Sequence, residues 1–289
     1  MSNPRTFLAV HAHPDDETIA TGGTFARYAA LGARAVLVCC TRGEEGEIHD
    51  PALDPAEARA RLGAIRAGEL RAAAEILGIG EIHLLPYRDS GMAGTDANRR
   101  PDAFVSADLP EAAARVAAIV RTARPGVVVT YDPAGGYGHP DHVTAHRVTL
   151  AAIERAAADG PGADGAMAAG WAVPKLYYTV VARSALLWLN GRMRARGLAA
   201  PFDEEEHAFD IRQRAAPDDV ITARVPVRDY LDRVRAALRA YRTQLPADDP
   251  LLTLPPDLAA AAFGVESYIR AFSRVPAPAR EEDLFDGVP

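Results

Sequence analysis

The sequence predicts an α/β fold, a Rossmann-like and mostly parallel sheet flanked by helices, with a smaller C-terminal α+β portion. Three observations carry that reading. Apolar runs such as Arg34 to Thr41 (RAVLVCCT) alternate with stretches of helical spacing. Strands that read as unbroken Val, Leu and Cys belong to sheets covered on both faces. Glycines stand where helices should stop, at Gly32 and Gly78. The alternation is regular through residue 181 and weaker beyond it, so the chain divides into a main portion, 1–181, and a smaller portion, 182–289.

Thr6 to Ala12 (TFLAVHA) is a short apolar strand stopped by His-Pro, because proline cannot continue a sheet ladder. Thr18 to Leu31 has helical spacing, Arg34 to Thr41 is the next strand, and Arg42 to Asp54 is a polar loop. Ala56 to Leu77 reads as one long amphipathic helix and Glu81 to Leu84 as a short strand, followed by a Gly- and Asp-rich loop to Ala107. Pro110 to Ala123 is helical with proline in its first turn, Val127 to Tyr131 is a strand, and Val143 to Ala158 a helix. Asp159 to Gly170 resembles a flexible connection. Lys175 to Val181 then reads as a strand, Val227 to Tyr241 as an amphipathic helix, and the Pro- and acid-rich tail from Pro276 as surface. No internal repeat is present.

With 48% hydrophobic and 25% charged residues the chain can build a packed core. A formal net charge of −7 disfavours nucleic acid or an anionic membrane as partner, since either needs a basic face. No run approaches the roughly 18 apolar residues that span a bilayer. The N-terminus to Thr6 is too polar for a secretory signal, and with no disulfide framework the expected location is cytoplasmic. The two cysteines, Cys39 and Cys40, are adjacent in a strand and so point to opposite faces, poorly placed to bridge. A homo-oligomer is compatible with all of this.

Two clusters carry the chemistry. His11-Ala-His13-Pro-Asp15-Asp16-Glu17 follows the first strand, and Tyr137-Gly-His139-Pro-Asp141-His142 follows the strand ending at Tyr131. If both strands are parallel and central, both loops open at the carboxyl edge of the sheet, where α/β folds bind ligands. Four of the eight histidines and a set of carboxylates then converge. That is the ligand chemistry of a hydrolytic zinc site, which keeps three protein ligands and one open position. No GxGxxG or P-loop follows the first strand, which disfavours a nucleotide cofactor and a Rossmann oxidoreductase.

His13-Pro-Asp15-Asp16-Glu17 with the later His139-Pro-Asp141-His142 resembles the zinc-dependent N-acetylglucosaminyl de-N-acetylase family, over residues 6–181. Gly43 to Glu47, Arg66 with Glu69, Asp89-Ser-Gly91 and Thr130-Tyr-Asp132 share in the likeness. It is strongest toward the branch of N-acetylglucosaminyl-inositol deacetylases and mycothiol S-conjugate amidases. The resemblance implies a single Zn²⁺ held by His13, Asp16 and His142, with Fe²⁺ as the alternative ion. It implies Asp15 as general base and Glu47, Arg66 and Asp89 as contacts to a small-molecule amino-sugar conjugate. Tyr137 is the candidate oxyanion donor, His139 a candidate acid for the leaving amine, and Asp141 a carboxylate able to orient His139. His11 and His146 are weaker candidates, and His49, His83 and His207 read as surface or loop histidines. The long loop containing Thr95, Asp96, Arg99 and Arg100 suits a segment that closes over substrate.

The expected reaction is hydrolysis of an acetamide, releasing acetate and a free amine; amide cleavage of a thiol S-conjugate and deacetylation of another glycoside are the alternatives. The amidase branch carries a lysine where Ala20 stands and a proline where Gly138 stands, and Arg88 to Thr95 looks more like the deacetylases. Asp50-Pro-Ala-Leu53 and the C-terminal tail look closer to the amidases. A catalytically silent sugar-binding protein would have lost the base or a ligand, and this chain keeps Asp15 and all three ligand types.

Overall fold

Apolar residues at consecutive positions of the first strand need cover on both faces, and the computed structural model, which describes residues 5–200, 202 and 211–289, provides it. The tetrapeptide 1–4 of the polar N-terminus and His207 lie outside the described residues. In chain order the elements are β1 (Thr6–His11), α1 (Asp16–Ala30), β2 (Arg34–Cys39), α2 (Pro55–Arg59), α3 (Leu62–Leu77), β3 (Glu81–Leu84), α4 (Leu109–Ala123) and β4 (Val127–Tyr131). A short turn α5 (Gly135–Gly138), α6 (Pro140–Ala156), the small ladder β5 (Gly160–Pro161) and β6 (Met167–Ala168), and β7 (Lys175–Val180) follow. The remainder is α7 (Arg183–Ala195), α8 (Ile211–Arg214), β8 (Ala223–Pro226), α9 (Leu231–Leu238), α10 (Pro250–Thr253), α11 (Pro256–Phe263) and β9 (Val265–Ser273).

Among the described residues the main sheet has seven strands in the order β3-β2-β1-β4-β7-β9-β8. The first five are parallel, and β9 and β8 add antiparallel at one edge, so residues beyond 181 extend the same sheet. Phe7 and Ala9 of β1 face one apolar layer with Phe25, Tyr28, Leu70 and Leu77, while Leu8 and Val10 face the other with Phe104, Val116 and Val120. The strand period of two sends Cys39 and Cys40 into opposite layers, both free and buried.

Several boundaries differ from the sequence reading, each for a local reason. The expected helix 56–77 is two: Asp54 caps α2 by accepting from Ala56 N and Glu57 N, and α3 restarts at Leu62. The restart seats Gly63 against Arg42 and Glu44, where a Cβ would come within 2.9 Å of the Glu44 side chain. Helix α6 begins at Pro140, three residues before the expected Val143, because His139 Nδ1 accepts from Asp141 N and Pro140 suits the first helical position. The expected helix 227–241 is α-helical only over Leu231–Leu238. The stretch 159–170 is pinned rather than loose, its start held by Arg121, which donates to the carbonyls of Arg155, Ala158 and Pro161.

The tail from Pro276 lies on the surface only in part: Pro276, Pro278, Ala279 and Arg280 are exposed, and the segment beyond them docks. Leu284 and Phe285 pack into the layer containing Phe7 and Tyr28, and Glu281 is buried. The chain's single lysine, Lys175, is fully buried and ion-paired with Glu281, and its Nζ also donates to the carbonyls of Leu284 (3.1 Å) and Asp286 (2.7 Å). Removing one partner of a buried pair leaves the other uncompensated, which costs about 3–5 kcal/mol. Arg270 and Tyr177 also hold Glu281 and should soften the loss. Lys175→Met is therefore expected to lower unfolding stability by about 3 kcal/mol in urea titrations and to expose residues 276–289 to limited proteolysis. A loss below about 1 kcal/mol would show that the tail docks through Leu284 and Phe285 alone.

Candidate metal centre and active site

Parallel pairing of β1 with β4 (Phe7 with Val127, Leu8 with Val128, Ala9 with Val129) brings the two post-strand clusters to one rim. The connections run away from β1 and β4 in opposite directions, which makes their carboxyl ends the switch point of the sheet.

Three donor atoms meet there. His13 Nδ1 lies 3.3 Å from Asp16 Oδ2 and 3.3 Å from His142 Nε2, and His142 Nε2 lies 3.4 Å from Asp16 Oδ2. An ion with tetrahedral ligands at about 2.0–2.1 Å has its donors about 3.3 Å apart, so the triangle has the size a zinc site requires. The histidine tautomers agree. His142 Nδ1 faces the carbonyl of Gly135 at 3.2 Å and His13 Nε2 faces Asp141 Oδ2 at 3.2 Å. Both partners only accept, so these nitrogens carry the protons and the other two turn lone pairs to a common point. Gly135 is required for this: its φ is +67° and a Cβ would stand 2.8 Å from His142 Cβ.

Two further donor groups occur among the described residues, His13 with His139 and His142, and His13 with Asp89 and Asp141. His139 Nδ1 already accepts from Asp141 N, and Asp141 and Asp89 lie behind the His13 ring. They frame the triangle. Asp141 also accepts from Ser90 N at 2.9 Å and from the Ser90 hydroxyl. Its carboxylate thus faces His13, and only its backbone amide reaches His139. Asp89 accepts from Gly91 N at 2.8 Å and sits 3.5 Å from His13 Nε2.

The electrostatics favour a cation. Burial opposes a charged His13, but the carboxylates of Asp141, Asp16 and Asp89 outweigh it and hold its pKa well above the usual value. Burial likewise opposes ionised Asp16, yet His142 and His13 hold it well below the carboxylate range. A proton on His13 stands in for the positive charge this pocket demands. His139 is lowered to about 4 by burial and by the neighbouring His13 and His142, so it is neutral near pH 7.

Asp15 is placed differently from Asp16. Its φ of 107° is unusual for a residue with a side chain and points to backbone strain of about 1–3 kcal/mol. The strained turn directs Asp16 into the triangle and leaves Asp15 beside it. Arg66 Nη2 donates to Asp15 Oδ2 at 3.0 Å and to Pro14 O at 2.6 Å, and Arg66 Nη1 donates to Gly43 O at 2.8 Å. Burial raises the Asp15 pKa to about 6, with Arg66 acting against the rise. A carboxylate in that range can take and return a proton near neutrality.

Of the residues assigned to substrate, Arg66 is buried and turned to Asp15, Asp89 is buried behind His13, and Glu47 lies at the rim with its carboxylate 2.7 Å from His49. The loop arginines pair locally, Arg99 with Asp96 and Arg100 with Asp102. His11 bonds Thr21, His146 bonds the Tyr131 carbonyl and His83 pairs with Glu81, so none faces the triangle. Tyr137 is half-exposed, its ring edge-on to His142 at 5.0 Å and capped by Arg214 at 5.3 Å. From Tyr137 and His142 a cavity of about 1160 Å³ runs past Ile19, Val181, Trp188 and Phe263.

The sequence reading did not assign a role to Tyr131 or Ser90. Tyr131 donates to Asp16 Oδ2 at 2.7 Å, accepts from Ala12 N at 2.9 Å and stacks on His142 at 4.1 Å. Both residues stand inside segments that carried the family likeness, and for Tyr131 its position at the end of β4 was a second signal.

The model of the family described as "PIG-L: GlcNAc-PI de-N-acetylase" matches residues 8–153. A 1D-myo-inositol 2-acetamido-2-deoxy-alpha-D-glucopyranoside deacetylase from Geodermatophilus obscurus is 46% identical over 297 aligned positions, covering 100% of both chains. Among solved structures, an N,N'-diacetylchitobiose deacetylase from Pyrococcus horikoshii has a TM-score of 0.61 at 20% identity, covering 99% of this chain and 87% of that one. A 4-carboxy-2-hydroxymuconate hydratase from Pseudomonas putida KT2440 has a TM-score of 0.60 at 21% identity, covering 95% and 99%. A deacetylase and a hydratase thus share this fold, which alone does not fix the reaction. The whole-length identity and the match over both clusters do fix the family: the chain belongs to the PIG-L GlcNAc-PI de-N-acetylases.

Proposed function

We propose that this protein is a zinc-dependent N-deacetylase acting on an N-acetylglucosaminyl-inositol, releasing acetate and the free glucosamine amine. The observation that carries the reading is the His13–Asp16–His142 donor triangle with Asp15 beside it. The 46% identity to a deacetylase named for that substrate supports the choice of glycoside. The reaction belongs to mycothiol biosynthesis.

Zinc, when bound, supplies Lewis-acid polarisation of the acetamide carbonyl and makes water a better nucleophile. Asp15 takes a proton from the attacking water as the water oxygen bonds to the carbonyl carbon. Tyr137 donates its hydroxyl hydrogen to the oxyanion that develops, where hydrogen bonds count most. The carbon–nitrogen bond then breaks, and Asp15 returns the proton to the departing amine. A neutral His139 is a poorer proton source, so Asp15 serves twice. Arg66 orients Asp15, while Asp141 and Asp89 orient His13. Glu47, an exposed carboxylate paired with His49 on the loop beside Arg66, is assigned to a sugar hydroxyl by the family likeness.

One observation favours the S-conjugate amidase as a second reading. The cavity wall beyond Tyr137 includes Trp188, Phe263 and Val181, more apolar surface than a polyol needs. Comparing kcat/KM for N-acetylglucosaminyl-inositol with that for a mycothiol S-conjugate separates the two. The glycoside is expected to be preferred; a tenfold preference for the conjugate, about 1.4 kcal/mol of transition-state binding, would reverse the assignment.

Metal analysis tests the triangle. His142→Ala should fall from about one equivalent of zinc to almost none, removing one of the three ligands a catalytic site uses. Retention of a full equivalent would exclude His142 as a ligand. Asp15→Asn should keep its zinc and lose about 10²–10⁴-fold in kcat, the usual worth of a general base. Tyr137→Phe should lose about 10²–10³-fold in kcat with KM little changed. A change in KM alone would make Tyr137 a ground-state contact.

A further inference from the structure

Glu17 belongs to the first cluster but does not face the donor triangle. It is fully buried and turned beneath Asp15, with Oε2 accepting from Asp15 N at 3.1 Å. Oε1 accepts from the Thr18 hydroxyl and, at 2.6 Å, from the hydroxyl of Tyr241, a residue more than two hundred positions away and itself fully buried. The backbone of the strained residue is therefore held from below by a group that the C-terminal part of the chain supports.

The residues next to Tyr241 bind two other segments of the site. Thr243 donates to Glu69 twice, from its amide at 2.9 Å and from its hydroxyl at 2.6 Å. Glu69 lies on α3 one turn after Arg66, which grips the Asp15 carboxylate from the other side. Gln244 Nε2 donates to the carbonyl of Glu47 at 3.0 Å, and Thr243 O accepts from His49 N at 2.9 Å. The contact is close, since a Cβ on Gly46 would stand 2.5 Å from Gln244 Oε1. One short turn, Tyr241 to Gln244, thus ties together the cluster that follows β1, the helix carrying Arg66 and the loop carrying Glu47.

We infer that the Tyr241–Gln244 turn is a clasp through which the C-terminal part of the chain positions the base Asp15 and the rim loop around Glu47. Tyr241, Thr243 and Gln244 are positioning residues, since none lines the cavity or touches the donor triangle. The inference rests on Asp15 being the base. Glu17 supplies a fixed acceptor for the Asp15 amide, and Tyr241 fixes Glu17. Without the Tyr241 hydroxyl the carboxylate of Glu17 loses a buried partner, and the turn at Asp15 can relax toward ordinary backbone angles. Misplacement of a reacting group by about 1 Å can cost up to 10²-fold in rate.

Tyr241→Phe keeps the ring in the core and deletes one hydroxyl, so the variant should fold and keep its zinc. Its kcat is expected to fall roughly tenfold or more, with KM within about twofold of the parent. In an Asp15→Asn background the same change should have no further effect on the residual rate, because it acts through the group already removed. Gln244→Ala frees the rim loop and also removes a 2.9 Å contact to the Thr243 hydroxyl, while both Thr243 donors to Glu69 remain, so it should raise KM several-fold and leave kcat close to the parent. Thermal melts on each variant separate positioning from folding: a purely structural role would lower Tm while leaving kcat of the folded enzyme intact. A Tyr241→Phe kcat within twofold of the parent, or an equal loss in the Asp15→Asn background, would overturn the clasp. Near-native turnover by Asp15→Asn would instead overturn the base assignment, and the clasp with it.

Discussion

The parallel pairing of β1 with β4 is the constraint on which the site depends. Each strand ends in a proline-containing cluster, and only their adjacency brings His13 and His142 within 3.3 Å of each other across 129 positions of sequence. The pairing needs β1 buried on both faces, which its unbroken run of Phe7, Leu8, Ala9 and Val10 secures. The core and the donor triangle are therefore two consequences of one sheet.

Around that pairing, charge is organised by division of labour. Asp16 faces the donor triangle, Asp15 stands beside it, Glu17 turns beneath it, and Asp89 and Asp141 stand behind His13. So many buried carboxylates would repel one another unless each had its own partner. Arg66 holds Asp15, Tyr131 holds Asp16, Tyr241 holds Glu17, and Ser90 holds Asp141. The field that remains is negative at the triangle, which suits a divalent ion. The different surroundings also separate the protonation behaviour of adjacent residues: Asp16 is pushed down and Asp15 up. Such a split is how two like groups take different roles in one site.

The part of the chain beyond residue 181 is joined to this arrangement rather than appended to it. It supplies two strands of the sheet, much of the apolar cavity wall and the docked tail that buries Lys175. Tyr137, capped by Arg214 from α8, marks where the two parts of the chain meet at the cavity mouth. Trp188 and Phe263 from that second part join Val181 in an apolar wall that contrasts with the polar centre.

By itself the sequence determined the fold class, most of the strands and helices, and the identity of the chemistry-bearing clusters. Strand and helix periodicity and the punctuation at Gly32, Gly78 and the His-Pro pairs are local properties, legible without partners. His13, Asp16, His142 and the neighbouring Asp15 were legible as candidates through the family likeness, because the motifs that carry it are local in sequence. Tertiary structure alone decided which carboxylate meets which ring. Asp141 faces His13 instead of its neighbour His139, and Arg66 faces Asp15 instead of an open sugar site. It also decided that the acid-rich tail docks from Glu281 onward, because the Lys175 partner that makes Glu281 tolerable inside lies 106 positions upstream. The role of Tyr241 was illegible for the same reason. Burial and hydrogen-bond pairing are set by residues distant in sequence, and a local pattern carries no record of them.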